Sequence, residues 1–439
     1  MSVALPKTFR SLRIYNFRVW SAGAFISNIG TWMQRTAQDW LVLTELTHNK
    51  ASAVGIVMAL QFGPQLLLLP VTGLAADVFD QRRLLMITQA AMGALALALG
   101  LLTVSHIVQL WHVYVFAFLF GCVSAFDAPA RQTFVGELVG DEDLVNAVAL
   151  NSTSFNAARM AGPAIAGLTI ASIGTGWAFL VNGISFVAVL ISLTALRVSE
   201  LHAKPRARRT RGSLTEGFRY SWQRPDLRMT LIMLFLIGTF GLNFPIFISA
   251  MAVRVFHTDA SGYGLLSAVM AIGTMSGALL GAGREKPRFR YLLVGAAVFG
   301  VGCTLAAIAP TFWLFAGSLI VIGVAALTFM NTSNSLMQLS TEPAMRGRVM
   351  AIRLAIALGG TPIGAPIVGW VADRFGPRWS IAVAAAAGIA AALIGTYARQ
   401  LLAVRTTDRS NEASAPAGPT PSHLASKCET REESAIAEV

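Results

Sequence analysis

Long charge-free apolar stretches dominate this chain. No Asp, Glu, Lys or Arg occurs from Leu84 to Phe126, Met160 to Leu196, Tyr291 to Thr341 or Trp379 to Ala398. A bilayer-crossing helix needs about 20 apolar residues, so a run about twice that long is a helical hairpin. Spans of a membrane β-barrel would be shorter and would alternate in polarity. The polar breaks between runs predict helices at 19–43, 51–76, 84–104, 110–127, 148–173, 177–196, 229–254, 261–283, 291–309, 312–337, 349–372 and 379–398. The expectation is an all-α polytopic membrane protein with twelve transmembrane helices.

Composition agrees. Of 439 residues, 55% are hydrophobic and only 13% charged, about half the charged share of a soluble domain, and mean hydropathy is +0.61. The first 18 residues carry Lys7, Arg10, Arg13 and Arg18 without a short apolar core and small-residue cleavage site behind them, so no cleavable leader is expected.

The connections alternate in charge. Those on the side of the amino terminus hold 23 Lys or Arg, whereas the opposite connections hold Lys50, Arg254, Arg374 and Arg378. Positive charge collects on the cytoplasmic side, which predicts a multi-pass protein of the inner or plasma membrane with both termini cytoplasmic. Trp40, Trp111, Trp177, Trp313, Trp370 and Trp379 fall at the opposite boundary, as an aromatic belt would. The net charge of +12 therefore points to a membrane surface and not to nucleic acid. The polar stretch 197–228, "RVSELHAKPRARRTRGSLTEGFRYSWQRPDLR", reads as a basic cytoplasmic linker resting on anionic headgroups. It divides the chain into a cytoplasmic segment 1–18, a first bundle 19–196, a second bundle 229–398 and a disordered cytoplasmic tail 399–439, rich in Ser, Thr, Pro, Ala and Glu.

The two bundles repeat each other. "IGT" at 29–31 recurs at 237–239; at the same offset Gly73, Asp77 and Arg82 match Gly281, Glu285 and Arg290. Farther on, Gly162, Gly167, Gly174 and Trp177 match Gly364, Gly369, Gly376 and Trp379 with identical spacing. Two parallel six-helix repeats are the architecture of a large transporter class, with the path between the halves near the bilayer midplane.

Over nearly its full helical length the chain resembles the major facilitator superfamily, with two pseudo-symmetric six-helix bundles. "GLAADVFDQRR", "FDAPARQTFVGELV", "ARMAGPAIAG" and "RGRV" are similar to the enterobactin-exporter and macrolide-efflux branch. The first loop motif departs from the superfamily pattern at Val78 and Asp80, and no intramembrane Arg stands near Gly121. A second copy of the motif, "GWVADRFGPR" at 369–378, aligns with the outer connection by the repeat, so Asp373 and Arg374 are read as structural. The resemblance places Asp77 opposite the start of the helix at 349–372. A cytoplasmic gate of Gly73, Asp77, Arg82, Arg83, Glu285, Arg346, Arg348 and Arg353 is expected there.

Several polar residues interrupt the apolar runs. Arg35 and Asp39 share one helix face, as i and i+4 neighbours do, and Asn28 lies on it too. Intramembrane ionisable groups face a cavity or a partner. The pair either lines the path or pins its helix near the outer interface. Its repeat counterparts are Asn243 and Phe247, so the fold itself does not demand the charges. Gln34, Gln38 and Asn243 are further path candidates. Arg159 sits at mid-membrane, either attracting an anionic substrate group or pairing with Asp39 or Asp127. Asp39 and Asp127 are the proton-coupling candidates; Asp127 is equally readable as a helix-end carboxylate paired with Arg131. Asn331, Asn334 and Gln338 share a face that would bind substrate or bond between helices. Ala158, Gly162, Pro163 and Gly167, with Gly273 and Gly277, are small residues that let helices approach closely; by resemblance the first group is an exporter motif.

There is no GxxxxGK[ST] phosphate loop and no histidine spacing for a metal. Neither ATP drive, a cofactor nor a metal is expected. The reading is a monomeric secondary active transporter, not an enzyme, exporting an amphipathic small molecule (drug, siderophore or secondary metabolite) by alternating access, driven by protons. Lysophospholipid movement and a non-transporting structural or sensory membrane protein are the alternatives.

Overall fold

The computed structural model describes residues 7–69, 71–72, 79–202, 214–282 and 288–414. Among them the chain is helical, with no strand. A 3-10 turn at Lys7–Arg13 leads into α1 (Tyr15–Trp40), which continues as a π-helical turn, Leu41–Leu46. Then follow α2 (Ala51–Leu67), α3 (Gln81–Val104), α4 (Leu110–Leu138), α5 (Leu144–Ile173) and α6 (Thr175–Thr194). The linker contributes α7 (Leu214–Gln223). The second half comprises α8 (Pro225–Leu236), a π-helical turn Ile237–Gly241, α9 (Phe244–Arg254), α10 (Ala260–Ala282), α11 (Phe289–Ile308), α12 (Phe312–Ser340), α13 (Pro343–Phe375) and α14 (Pro377–Ser414).

Nine helices among the described residues are long and apolar enough to cross a bilayer. The spans expected at 19–43, 51–76 and 148–173 are not among them. The helix at 51–76 is described only through its first 17 residues. The other two carry the polar residues that face inward: α1 buries Asn16, Ser27, Asn28, Gln34, Thr36, Gln38 and Asp39, and α5 carries Asn146, Asn151, Ser152 and Asn156. Low hydropathy here marks helices whose polar residues bond to neighbouring elements, as Asn16 does to Arg197 and Asn146 to Ser11, or line cavities, as Asn28, Asp39 and Asn151 do.

Four boundaries differ from expectation. α4 runs on through Pro129 to Leu138, so Asp127 lies well inside a helix and does not end one. The helix expected at 229–254 is broken at Ile237–Asn243, where the π-helical turn and Pro245 at the start of α9 interrupt the ladder. α13 begins at Pro343, six residues early, with proline in the first turn where its missing N–H costs nothing. α14 continues to Ser414 because no Gly or Pro stops it before Pro416; residues 415–439 lie outside the described residues.

The chain divides into two compact units, Met1–Gly395 and Thr396–Val439. Within the first unit α1 packs on α6 and α5, α3 on α6, and α2 on α4. In the second half α12 packs on α10 and α11. The halves meet along two seams, α2 against α13 and α5 against α10. Both seams are tightest at the end of the bundle away from the linker, called here the far end. At Gly369 a Cβ would stand 2.8 Å from the Ala51 carbonyl oxygen, and at Gly167 one would stand 2.7 Å from that of Ala260. Gly55 is similarly pressed on the Ala365 carbonyl. The far end is therefore closed.

Candidate functional site

A cavity of about 210 Å³ lies between the halves. α1 contributes Trp32, Arg35, Thr36 and Asp39; α5 contributes Arg159 and Pro163; α10 contributes Tyr263 and Ser267; Leu242, Phe244 and Pro245 come from the break between α8 and α9. That break exposes backbone where it borders a cavity, the place a membrane tolerates it. Asp39 is 7% exposed and accepts a hydrogen bond from Tyr263 Oη at 3.2 Å. Tyr263 belongs to the other half and stacks on Trp40, ring centroids 6.2 Å apart. The carboxylate thus ties one half to the other.

The guanidiniums are held by rings. Arg35 lies 4.9 Å from the Trp32 ring and 5.5 Å from that of Phe62, and Arg159 lies 5.3 Å from Trp32. Such contacts with half-buried rings contribute about 0.5–2 kcal/mol each. Neither arginine forms a salt bridge among the described residues. Arg35 Nε is buried without a hydrogen-bond partner. The i,i+4 arrangement of Arg35 and Asp39 therefore leaves both facing the cavity without closing on each other, and Arg159 pairs with neither Asp39 nor Asp127.

A second cavity of about 630 Å³ lies on the linker side and shares Arg35 with the first. Its anchor is Asp127, which accepts from Thr88 Oγ1 at 2.8 Å, Gln89 Nε2 at 2.6 Å and Arg131 Nη2 at 2.9 Å. Arg131 Nη1 in turn donates to Asn28 Oδ1 at 3.2 Å. Asn151, Ser152 and Asn156 of α5 line the opposite wall. The two cavities meet at Arg35, the only described residue that lines both.

The family model described as "Transmembrane secretion effector" matches residues 7–432. The chain belongs to the major facilitator superfamily, in that secretion-effector family. It is a multi-pass transporter of small molecules and not an enzyme. It is 28% identical to "Multidrug efflux pump Tap" of Mycolicibacterium fortuitum, covering 80% of this chain and 88% of that one. It is 25% identical to "Staphyloferrin A transporter" of Staphylococcus aureus (81% and 89%) and 24% identical to "Enterobactin exporter EntS" of Escherichia coli (80% and 83%). Its fold is similar to that of a bacterial homologue of the human lysosomal transporter Spinster, solved inward-facing, with TM-score 0.70, 16% identity and 90% and 98% of the chains covered. It is similar also to the D-xylose-proton symporter, with TM-score 0.67, 13% identity and 86% and 96% covered.

In this major facilitator the other expected residues take varied places. Gln34 is buried against α6, accepting from Asn182 Nδ2, and Gln38 is buried and lines neither cavity. Asn243 has no exposure; its Nδ2 donates to Thr239 O at 2.7 Å and its Oδ1 is unpartnered. It holds the break in place without lining the cavity. Asn331 and Gln338 are exposed and Asn334 is half-buried; none lines either cavity. Gly162 abuts Trp32 and Ile29 of α1, while Gly273 and Gly277 abut Ile320 and Val324 of α12. Ala158 is fully buried. Pro163, beside the α10 seam, also lines the central cavity.

The expected cytoplasmic gate is only partly described. Gly73, Asp77 and Glu285 lie outside the described residues. Arg82 Nε donates to Leu193 O at 2.8 Å, and Arg83 is exposed. Asp80 caps α3 by accepting from Arg83 N at 2.8 Å, which gives its departure from the motif a local use. Arg348 pairs with Glu216 of α7 at 3.0 Å. Arg353 Nη2 donates to Met330 O at 3.0 Å, tying α13 to α12, and Arg346 Nε is buried without a partner.

Sequence reasoning missed Tyr263, Trp32 and Phe62. Ordinary aromatic residues in apolar helices carry no signal until the partner across the interface is known. The structural role expected of Asp373 takes the form of a cap across the halves. It accepts from Ala51 N at 2.7 Å and Ser52 N at 2.9 Å, and Arg254 Nη1 lies 3.4 Å away.

Proposed function

We propose that this chain is a proton-driven exporter of amphipathic small molecules that works by alternating access. It would act as a monomer in the inner or plasma membrane, with the linker side cytoplasmic. The halves would be 19–196 and 229–398, joined by the linker 197–228. The observation that carries the reading is the Asp39–Tyr263 bond across the halves at the wall of the central cavity. Drug and siderophore transporters among the relatives support export of such compounds.

The geometry suggests a cycle. With Asp39 ionised and the cavity empty, the charge-assisted bond from Tyr263 favours far-end closure by about 1.5–3 kcal/mol. A substrate entering from the linker side competes with Tyr263 for the carboxylate and so frees the halves to part at the far end. A proton arriving from outside then takes the carboxylate and displaces the substrate. Proton and substrate compete for one group, which is the condition for antiport. Asp127, already accepting from three side chains, is the weaker coupling candidate because protonation would have to disrupt a satisfied network.

In proteoliposomes loaded with an amphipathic dye, the parent should move dye uphill when an opposing proton gradient is imposed. Asp39→Asn should abolish uphill movement and retain dye exchange without a gradient. Undiminished uphill transport by Asp39→Asn would refute the assignment.

A further inference from the structure

α7 is a ten-residue helix, LTEGFRYSWQ, between the two halves. One side is fitted to the bundle. Ser221 has no exposure and donates to Gly217 O at 2.9 Å. A Cβ on Gly217 would stand 2.7 Å from Arg348 Cβ of α13. Glu216 pairs with Arg348 at 3.0 Å, and Tyr220 packs on the small apolar cluster that contains Leu227, Val349 and Ile352.

Among the described residues, the other side is exposed. Phe218 and Trp222, one turn apart, are 49% and 47% exposed, and their rings stack with centroids 5.4 Å apart. Arg219 between them is exposed, and Arg228 stands 6.0 Å from the Trp222 ring. Because Arg348 and Ile352 lie in the first turns of a bilayer-crossing helix, α7 sits at the level where apolar span meets polar surface. Aromatic rings flanked by arginine at that depth match the headgroup layer, where a ring's apolar body and a cation's charge are both satisfied. The surrounding stretch 197–228 carries nine basic and three acidic residues, and basic residues beside a membrane select anionic lipid.

We propose that α7 is a docking helix for anionic phospholipid headgroups, with Phe218 and Trp222 inserted at the acyl boundary and Arg219 and Arg228 on the phosphates. Through Glu216 and Gly217 the bound lipid would brace the first turns of α13.

The test uses the full chain in nanodiscs, with Cys122, Cys303 and Cys428 replaced by serine or alanine and an NBD fluorophore on Phe218→Cys. Nitroxide-headgroup phosphatidylglycerol or phosphatidylcholine is titrated into a phosphatidylcholine bilayer. Each basic residue near an anionic surface adds a factor of about five. Phosphatidylglycerol nitroxide should therefore quench at a mole fraction ten or more times lower than phosphatidylcholine nitroxide. Arg219→Gln with Arg228→Gln should bring the two within about twofold and leave quenching by phosphatidylcholine intact. Equal quenching by both lipids in the parent overturns the anionic preference. Absence of quenching by either overturns the docking itself, and if quenching reappears on dilution to one chain per disc, a second copy covers the patch instead.

Discussion

Removing the Asp373 carboxylate should open the far end of the transporter. α2 begins at Ala51 with Lys50 at its N-cap position, no side-chain cap of its own and no acidic residue in its first turn. Its first free N–H groups are satisfied by Asp373 of α13, from the opposite half, at 2.7 and 2.9 Å. A capping side chain contributes about 1 kcal/mol, and a negative charge at a helix N-terminus about 0.3–1 kcal/mol. The Asp373 side chain is 23% exposed, which calls for a discount, so the pair of bonds stabilises closure by about 1.5 kcal/mol. The contact breaks when the halves part, and its loss in Asp373→Ala should raise the ratio of far-end-open to far-end-closed molecules about tenfold. Asp373→Asn keeps one acceptor oxygen and should fall between. Spin labels on Ser172→Cys and Trp313→Cys, exposed at the far ends of α5 and α12, report the opening by double electron–electron resonance. Exposed Arg374, one residue on, is the control: Arg374→Ala should leave the distance distribution as in the parent. If Asp373→Ala matches the parent to within twofold, the carboxylate is an ordinary helix-end charge of about 0–1 kcal/mol with no state preference.

Three further outcomes are expected. Tyr263→Phe removes the inter-half bond to Asp39 and keeps the Trp40 stack; it should raise the far-end-open ratio at least about tenfold in the same assay and leave thermal stability nearly unchanged. Gly364→Ala would drive a Cβ into the Thr239 carbonyl at the π-helical turn, costing about 3 kcal/mol or more, whereas Gly347→Ala, with nothing within 4 Å, should be neutral or stabilising; fluorescence-detected gel filtration after heating separates them. For orientation, Ile107→Cys at the far end should react with an impermeant thiol reagent in intact cells and Gln223→Cys only after permeabilisation; the reverse pattern would invert the proposed topology.

The fold was legible because charge-free length is a strong and local signal. The path was partly legible: Arg35, Asp39, Arg159 and Asp127 stand out as ionisable residues in apolar runs, and all four line a cavity. Contacts across the halves were not legible. Tyr263 looks like any aromatic residue in an apolar helix, and the repeat that places Asp373 at the outer connection does not show that α2 of the other half is its partner. The break in the helix expected at 229–254 was hidden because "IGTFGLNFP" stays apolar throughout, and hydropathy does not register hydrogen-bond pattern. Nor did sequence separate Asn243, sealed in that break, from the path, since an Asn that bonds a neighbouring carbonyl and one that faces substrate look alike.

The two halves hold each other through carboxylates of unlike standing. Asp39 comes from the first half and accepts from Tyr263 of the second; Asp373 comes from the second and accepts from α2 of the first. Asp39 faces the central cavity, and its repeat counterpart Phe247 is a buried hydrocarbon. Asp373 lies outside both cavities. On the proposed cycle only Asp39 can be switched by cargo or proton, and Asp373 supplies a constant bias toward closure that the switch must overcome. The two ties share no bonding partner, so their effects on the far-end-open ratio should multiply: Asp373→Ala with Tyr263→Phe should shift it by the product of the single shifts. Asp39→Asn with Tyr263→Phe should do little more than Tyr263→Phe alone, since both act on one bond. A measured product for the second pair, or a clear shortfall for the first, would mean that closure depends on a shared element and not on two independent ties.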